Sequence, residues 1–246
     1  MILKDISFQT PEENIIFDEV LLSLAENGFS GEVLRFWEPQ EPFIVLGKIC
    51  REEDDLFVEN IQKDGLKVLR RASGGGTVLE HAGCLNYSLV LSKEQNPSLV
   101  NLNQSYKFIL SKIIDGLNTF GVETVFMPIC DIALFSSHKK ISGNAQKRGK
   151  KFILHHGTIL YDFDIEKIGR YLRMPKQVPE YRKGRSHRDF VANVPVAVGD
   201  LKLSIKNVFA IQQEESFLKK IEAETLREYL RTKSPVVHLE KFAYAS

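Results

Sequence analysis

Three consecutive glycines, Gly74-Gly75-Gly76, follow a basic pair, Arg70-Arg71, and lie between the apolar runs Lys67-Val68-Leu69 and Cys84 to Leu91. Both flanking runs pattern as strands, so the glycines form a loop that lies between strands. This constrains the architecture. A P-loop or a dinucleotide fingerprint leads from a strand into a helix and needs Gly-Lys-Ser/Thr or G-x-G-x-x-G spacing, and neither pattern is present. Ordering glycine costs roughly 1 kcal/mol per residue relative to alanine, so a loop of purely structural use gains little from three of them. A ligand lying against bare main chain beside cationic side chains, an anion above all, accounts for the cost. The competing reading is a flexible turn.

The 246 residues, 43% of them hydrophobic, can build one sizeable core and are short for two full domains. Lys plus Arg number 33 against 32 acidic residues, so the global charge gives no argument for nucleic acid. Cys50, Cys84 and Cys130 are an odd count without C-x-x-C spacing, which argues against a disulfide framework or a structural zinc site and fits a reducing cytoplasm. No long apolar run follows the N-terminus, and nowhere are there eighteen uninterrupted apolar residues, so neither a signal peptide nor a membrane span is expected.

Thr10-Pro11-Glu12-Glu13 carries the cap, first-turn proline and early acids of a helix start, and the spacing of Ile15, Ile16, Val20, Leu21 and Leu24 predicts a helix over 11–26. Strands are expected at 31–37, 43–47, 67–70 and 84–91, with a helix near 52–63 between the second and third. A helix within 104–120 and strands at 122–126, 131–135, 151–155 and 158–161 follow. Asp164 caps a short helix, and 175–185 crosses the surface as a loop rich in punctuating residues. A helix over 215–231 and a strand at 236–239 close the chain. The pattern predicts an α/β domain of the α+β type, with a central mixed, largely antiparallel sheet and flanking helices.

A second motif, Lys139-Lys140-Ile141-Ser142-Gly143-Asn144-Ala145-Gln146, puts a cation before a short apolar, small and glycine segment. His156-Gly157-Thr158 comes ten residues after Gln146. An ammonium held beside a reacting carboxylate or phosphate stabilises charge developing on oxygen, which makes Lys140 the candidate catalytic group. A solvated hairpin tip is the plainer alternative for a Lys-Lys pair.

Taken in order and spacing, Arg70 to Val78, Lys140 to Gln146 and His156-Gly157-Thr158 resemble the lipoate-protein ligase A family, which shares its catalytic fold with biotin-protein ligases and lipoyl/octanoyl transferases. The resemblance runs from Asn14-Ile15-Ile16-Phe17-Asp18-Glu19 to Asp164. It implies that ATP, with Mg2+, and lipoate or octanoate give an acyl-adenylate, whose acyl group passes to a lysine of a lipoyl-domain acceptor. Such acceptors are 2-oxoacid dehydrogenase E2 subunits or the glycine cleavage H protein. Carried over, Arg71 contacts the nucleotide, and Ser73, Gly74, Gly75, Gly76, Thr77, Val78 and Leu79 run along the acyl-adenylate. Asp131, Gly143, His156, Gly157 and Thr158 join this binding set, and Lys140 holds the carbonyl and phosphate oxygens. No metal-ligand cluster of the protein's own is visible.

Many relatives continue the glycine loop with His-Asp and then Gly-Asn, whereas here Glu80-His81-Ala82-Gly83-Cys84-Leu85-Asn86 occupies that region, so the carry-over stops at Leu79. Cys130 precedes Asp131 where the family has Asn. It opens a second chemistry, ATP-independent transfer from a carrier thioester with Cys130 as nucleophile. A non-catalytic lipoate or nucleotide sensor is the third reading. Residues 1–246 read as one catalytic domain with no separate C-terminal accessory domain, which leaves room for an accessory subunit. Arg170, Arg173, Lys176, Arg182, Lys183, Arg185 and Arg188 make a locally basic stretch, a candidate docking face for an acidic acceptor domain.

Overall fold

Leu85, Tyr87, Leu89 and Leu91 alternate with Asn86, Ser88 and Val90, and all of Cys84 to Leu91 is buried, so helices must lie on both sides of the sheet this strand belongs to. In the computed structural model, which describes residues 1–239, they do. The elements among these residues are β1 (Ile2–Asp5), α1 (Pro11–Glu26), β2 (Val33–Trp37), β3 (Phe43–Leu46), α2 (Glu52–Asp55), α3 (Val58–Asp64), β4 (Lys67–Arg70) and β5 (Val78–Glu80). They continue with β6 (Cys84–Ser92), α4 (Leu102–Asn118), β7 (Thr124–Met127), β8 (Asp131–Leu134), β9 (Lys140–Arg148), β10 (Phe152–Leu160), α5 (Glu166–Tyr171), α6 (His187–Phe190), α7 (Val198–Val208), β11 (Gln213–Glu215) and α8 (Lys220–Thr232).

The main sheet has eight strands in the order β11-β1-β2-β6-β10-β9-β8-β7, and a second sheet has the order β4-β3-β5. Pairings are antiparallel except β1 with β2, β1 with β11 and β3 with β4. This is the expected mixed α/β arrangement. One face of the main sheet packs on α4 and α7, where Leu85, Tyr87 and Leu89 of β6 meet Ile109, Leu110, Ile113 and Leu117. The other meets α1 and α8, through Val33, Val90 and Leu154 against Phe17, Val20, Leu21 and Leu226. Full burial of such a side chain contributes about 1.5–3 kcal/mol.

Helix α1 spans the predicted residues, and Thr10 caps it by accepting from the Glu13 amide at 3.3 Å. Two polar residues, Asn14 and Asp18, break its buried stripe one turn apart. At the other end of the fold, Lys4 is buried between Glu215 on β11 and Glu222 on α8, at 2.8 and 2.9 Å, which ties the last helix to the first strand.

Register sets up the site. Trp37, Asn86, Thr158, Gly143 and Asp131 pair in one row across β2, β6, β10, β9 and β8. Arg35, Ser88, His156 and Ala145 form the next row on the same face. Directly paired residues face the same side of a sheet, so each row gathers its side chains on one surface.

The structure departs from several expectations. The helix expected over 52–63 is two short helices, because Leu56 between them is extended, buried and bridged to Leu172. The two strands expected at 151–155 and 158–161 are one, β10. The last helix begins at Lys220, since Gln213–Glu215 pairs as an edge strand beside β1. In place of a strand at 236–239, Val236 makes a single bridge to Leu69. Strand β1 and helix α7 carry too little periodic signal to be expected.

Candidate functional site

The loop from Arg71 to Thr77 joins β4 to β5 and closes over the main sheet. Beneath it lies a cavity of about 850 Å³, bounded also by the turn Pro128 to Asp131 and by the segment Pro175 to Arg182. Within the loop, Gly75 has φ +82°, a conformation that disfavours a side chain, and a Cβ there would meet Arg71 Nη2 at 2.9 Å. Arg71 is buried and spends its guanidinium on the loop itself. Its Nη2 donates to the carbonyls of Gly74 and Gly76 at 2.8 and 2.7 Å, and its Nε donates to Ser73 Oγ at 3.0 Å. Arg71 thus shapes the main chain that would meet a ligand and itself borders the cavity.

Ser73 Oγ lies 2.6 Å from His156 Nε2, and His156 Nδ1 lies 3.3 Å from Asp18 Oδ2. With Nδ1–H donating to Asp18, Nε2 accepts from the serine hydroxyl. The order of contacts is that of a Ser-His-Asp triad. However, Ser73 is buried and does not border the cavity, so here the chain of bonds anchors the glycine loop to β10 and α1. Asp18 is itself held by Arg35 Nη1 at 2.7 Å and by the Ser88 hydroxyl at 2.6 Å. Burial would raise its carboxyl, but the Arg35 charge and the His156 and Ser88 hydrogen bonds outweigh it, and Asp18 titrates below the ordinary carboxylate range.

Lys140 starts β9, and its side chain folds back across Gly143. Its Nζ is 2.8 Å from Asp131 Oδ1, and Tyr181 donates to Asp131 Oδ2 at 2.7 Å from the segment beyond the cavity. Burial and the neighbouring Asp131 push the Tyr181 hydroxyl up, so it remains a donor. An ammonium held by Asp131 therefore stands at the wall of the cavity that the glycine loop also borders. A Cβ on Gly143 would come within 2.8 Å of Lys140 Nζ and 2.9 Å of its Cε. Gly143→Ala is expected to keep the fold, because the flexible lysine end can yield, while turnover falls about 10- to 100-fold as the ammonium leaves its position. Equal thermal stability with unchanged turnover would contradict this placement.

Behind this wall, Asn144 ties the elements together. Its Oδ1 accepts from Tyr87 OH and lies 3.2 Å from His155 Nε2, and its Nδ2 donates to the Cys130 carbonyl at 2.8 Å. Burial pushes His155 down to about 3, so it is a neutral bridge. Gly157 leaves room for Asn144, whose Oδ1 would sit 1.9 Å from an added Cβ. Thr158 donates to Asn86 Oδ1 at 2.9 Å.

The structure brings Arg71, Gly75, Gly76, Thr77, Val78, Leu79, Cys130, Asp131, Lys140, Gly143, His156, Gly157 and Thr158 to the cavity, and places Ser73 and Gly74 behind it. Thr77 Oγ1 bonds Asp55 Oδ2. Sequence reasoning missed Asp18, Glu80, Asn144 and Tyr181. The polar pair on the buried stripe of α1 was a signal for Asp18, whereas nothing in a loop of prolines and charges marked Tyr181. The basic stretch is divided between surface ion pairs and buried contacts, with Lys176 and Arg188 each 73% exposed. Arg170 pairs with Asp64, Lys176 with Asp54 and Arg188 with Glu166, while Arg182 is buried over Phe190.

Burial raises all three thiols, most of all Cys84. At Cys130 the adjacent Asp131 adds to the rise, against partial relief from Lys140.

A family model for the lipoyl protein ligase A/B catalytic domain matches residues 10–217. The octanoyltransferase LipM of Geobacillus kaustophilus is 28% identical, over 98% of this chain and 93% of that protein. The lipoate-protein ligase LplJ of Bacillus subtilis is 32% identical over 65% of this chain and 46% of its own length, so the match spans about half of that relative. Among solved structures, a bi-partite lipoate protein ligase from Thermoplasma acidophilum, described with its E2 lipoyl domain, superposes with a TM-score of 0.80. It has 22% identity and covers 94% of this chain and 92% of that one, which establishes the fold.

Proposed function

The chain belongs to the lipoyl protein ligase A/B catalytic-domain family, a family of enzymes, and from that premise we propose that it is a lipoate-protein ligase. In this reading it activates lipoate or octanoate with Mg-ATP as an acyl-adenylate and transfers the acyl group to a lysine of a lipoyl-domain acceptor. Residues 1–246 act as one catalytic domain.

The observation that carries this reading is the Lys140 ammonium, held by Asp131, in the same cavity that the glycine loop borders. Lys140 neutralises charge on the acyl and phosphate oxygens as the leaving bond breaks. The bare backbone of Gly75 and Gly76 lets the adenylate lie close, and Arg71, Ser73 and His156 hold that backbone in place. Ile15, Val45, Val78, Leu160 and Ile168 offer an apolar wall for an aliphatic chain. Among the described residues no group of three His, Cys, Asp or Glu could hold a metal, so magnesium would arrive with the phosphates.

The acceptor would be an E2-type or H-type lipoyl domain. The bi-partite Thermoplasma relative supports the idea of an accessory subunit. No helix among the described residues is long and apolar enough to cross a membrane, and the three cysteines are free, in keeping with a proposed cytoplasmic reaction.

A second reading, octanoyl or lipoyl transfer from a carrier thioester, has its own support: Cys130 borders the cavity beside the Lys140–Asp131 pair, and the Geobacillus relative is an octanoyltransferase. Cys130→Ser separates the two. Under the ligase reading it retains turnover within about threefold, since no covalent step uses the thiol. A loss of more than about 1000-fold in lipoyl-domain modification would establish the relay instead.

A further inference from the structure

We propose that Glu80 is the general base that takes the proton from the acceptor lysine so that its ε-nitrogen can attack the acyl carbon, a role that rests on the acyl-transfer reading above. The attacking lysine arrives as an ammonium at neutral pH and has no lone pair until it loses a proton. Lys140 is a cation paired with Asp131 and cannot receive that proton.

The other titratable groups bordering the cavity are mostly occupied. Asp131 has one oxygen on Lys140 and the other on Tyr181, and Asp18 is held by Arg35, Ser88 and His156. Both nitrogens of His156 are engaged, and Glu180 is exposed at the rim.

Glu80 differs. It ends β5 at the cavity wall, is 3% exposed, and uses its two oxygens unequally. Oε2 accepts from Asn86 Nδ2 at 2.8 Å and from the Cys84 thiol at 3.1 Å. Oε1 has the Thr158 hydroxyl at 3.5 Å, but that hydroxyl lies 2.9 Å from Asn86 Oδ1, where its single proton is better placed. Oε1 is thus a buried carboxylate oxygen without a committed donor.

Its location suits the task. Asn86 and Thr158 belong to the row that continues to Gly143, over which the Lys140 ammonium lies. Glu80 and Lys140 therefore flank the Thr158–Gly143 stretch, within about two strand spacings of roughly 4.8 Å each. An acyl carbon whose oxygen rests on Lys140 is then within reach of an amine that touches Glu80. The charged and titratable groups around Glu80 are Arg71, Cys84 and, across the row, Lys140 with Asp131. Burial raises its carboxyl, tempered by the Asn86 and Cys84 hydrogen bonds, the Arg71 charge and the long Thr158 contact, which makes the ionised form a stronger base than a surface carboxylate.

In the step itself, one ammonium proton passes to Oε1 and frees the nitrogen lone pair, which forms the new C–N bond. The bond from the acyl carbon to the phosphate oxygen breaks with its electron pair on AMP. The second nitrogen proton leaves with the departing phosphate, and Glu80 returns its proton to solvent.

The test compares wild type, Glu80→Gln and Glu80→Asp with one acyl donor, on a purified lipoyl domain and on hydroxylamine, an amine already neutral at pH 7. Glu80→Gln is expected to lower kcat for the lipoyl domain on the order of 100-fold at pH 7 with KM little moved, a deficit that shrinks as pH rises and the lysine loses its own proton. Hydroxamate formation should fall far less, and Glu80→Asp should recover part of the lysine reaction. Wild-type transfer by Glu80→Gln, an equal loss with both amines, or the same lysine-selective defect in His187→Gln, whose ring also borders the cavity, would overturn the proposal. Wild-type protein that forms neither product with either type of donor would instead overturn the functional reading beneath it.

Discussion

Lys140→Ala is expected to reduce turnover about 100- to 1000-fold, the loss typical of removing one preorganised donor from developing charge. The effect should fall on kcat, with KM for the acceptor domain nearly unchanged, because the ammonium matters most when charge builds on oxygen. The side chain is 31% exposed and its ion pair with Asp131 contributes under about 1 kcal/mol, so the variant should unfold near the wild-type temperature. Steady-state kinetics on a lipoyl domain, alongside thermal unfolding, checks both halves. A folded variant with wild-type kcat would remove Lys140 from the chemistry.

Arg35→Met should produce the largest loss of stability, about 3–5 kcal/mol, because it leaves the buried Asp18 carboxylate without its cation. Arg35 is fully buried among Phe8, Phe17 and Trp37, donates to Asn14 and the Ile6 carbonyl, and meets Asp18 at 2.7 Å. Denaturant titration measures the loss, and pairing the change with Asp18→Asn should recover part of it, since the uncompensated charge disappears. Asp18 and Glu215 both titrate below the ordinary carboxylate range. Their contribution to wild-type stability is complete above the unfolded value near pH 4, and it is lost as pH falls through the lower folded values. Arg35→Met should lack the Asp18 share of that acid sensitivity. Additive effects in the double variant would contradict the pairing.

Local chemistry made much of the fold legible. The cap and stripe of α1 and the strand patterns of 67–70 and 84–91 follow from local residue chemistry, and the structure forms those elements, although the glycine loop leads first into β5 and the two flanking strands lie in different sheets. The glycine loop and Lys140 were visible for the same reason, since unusual residue types in a run need a local cause. Asn86 and Glu80 were hidden because their significance comes from contacts that form only when the strands assemble. Asn86, Thr158 and Gly143 lie far apart in sequence and meet only when β6, β10 and β9 pair. Strand β1 was hidden because its stability comes from partners on both sides and from the buried Lys4 ion pairs more than two hundred residues away in sequence.

The central claim is tested most directly by the intact mass of a purified lipoyl acceptor domain after incubation with this protein, comparing lipoate plus Mg-ATP with octanoyl-carrier protein without ATP. A lipoyl mass increment in the first mixture and none in the second is the predicted result. An octanoyl increment in the second mixture and none in the first would contradict the ligase reading and make the protein a transferase.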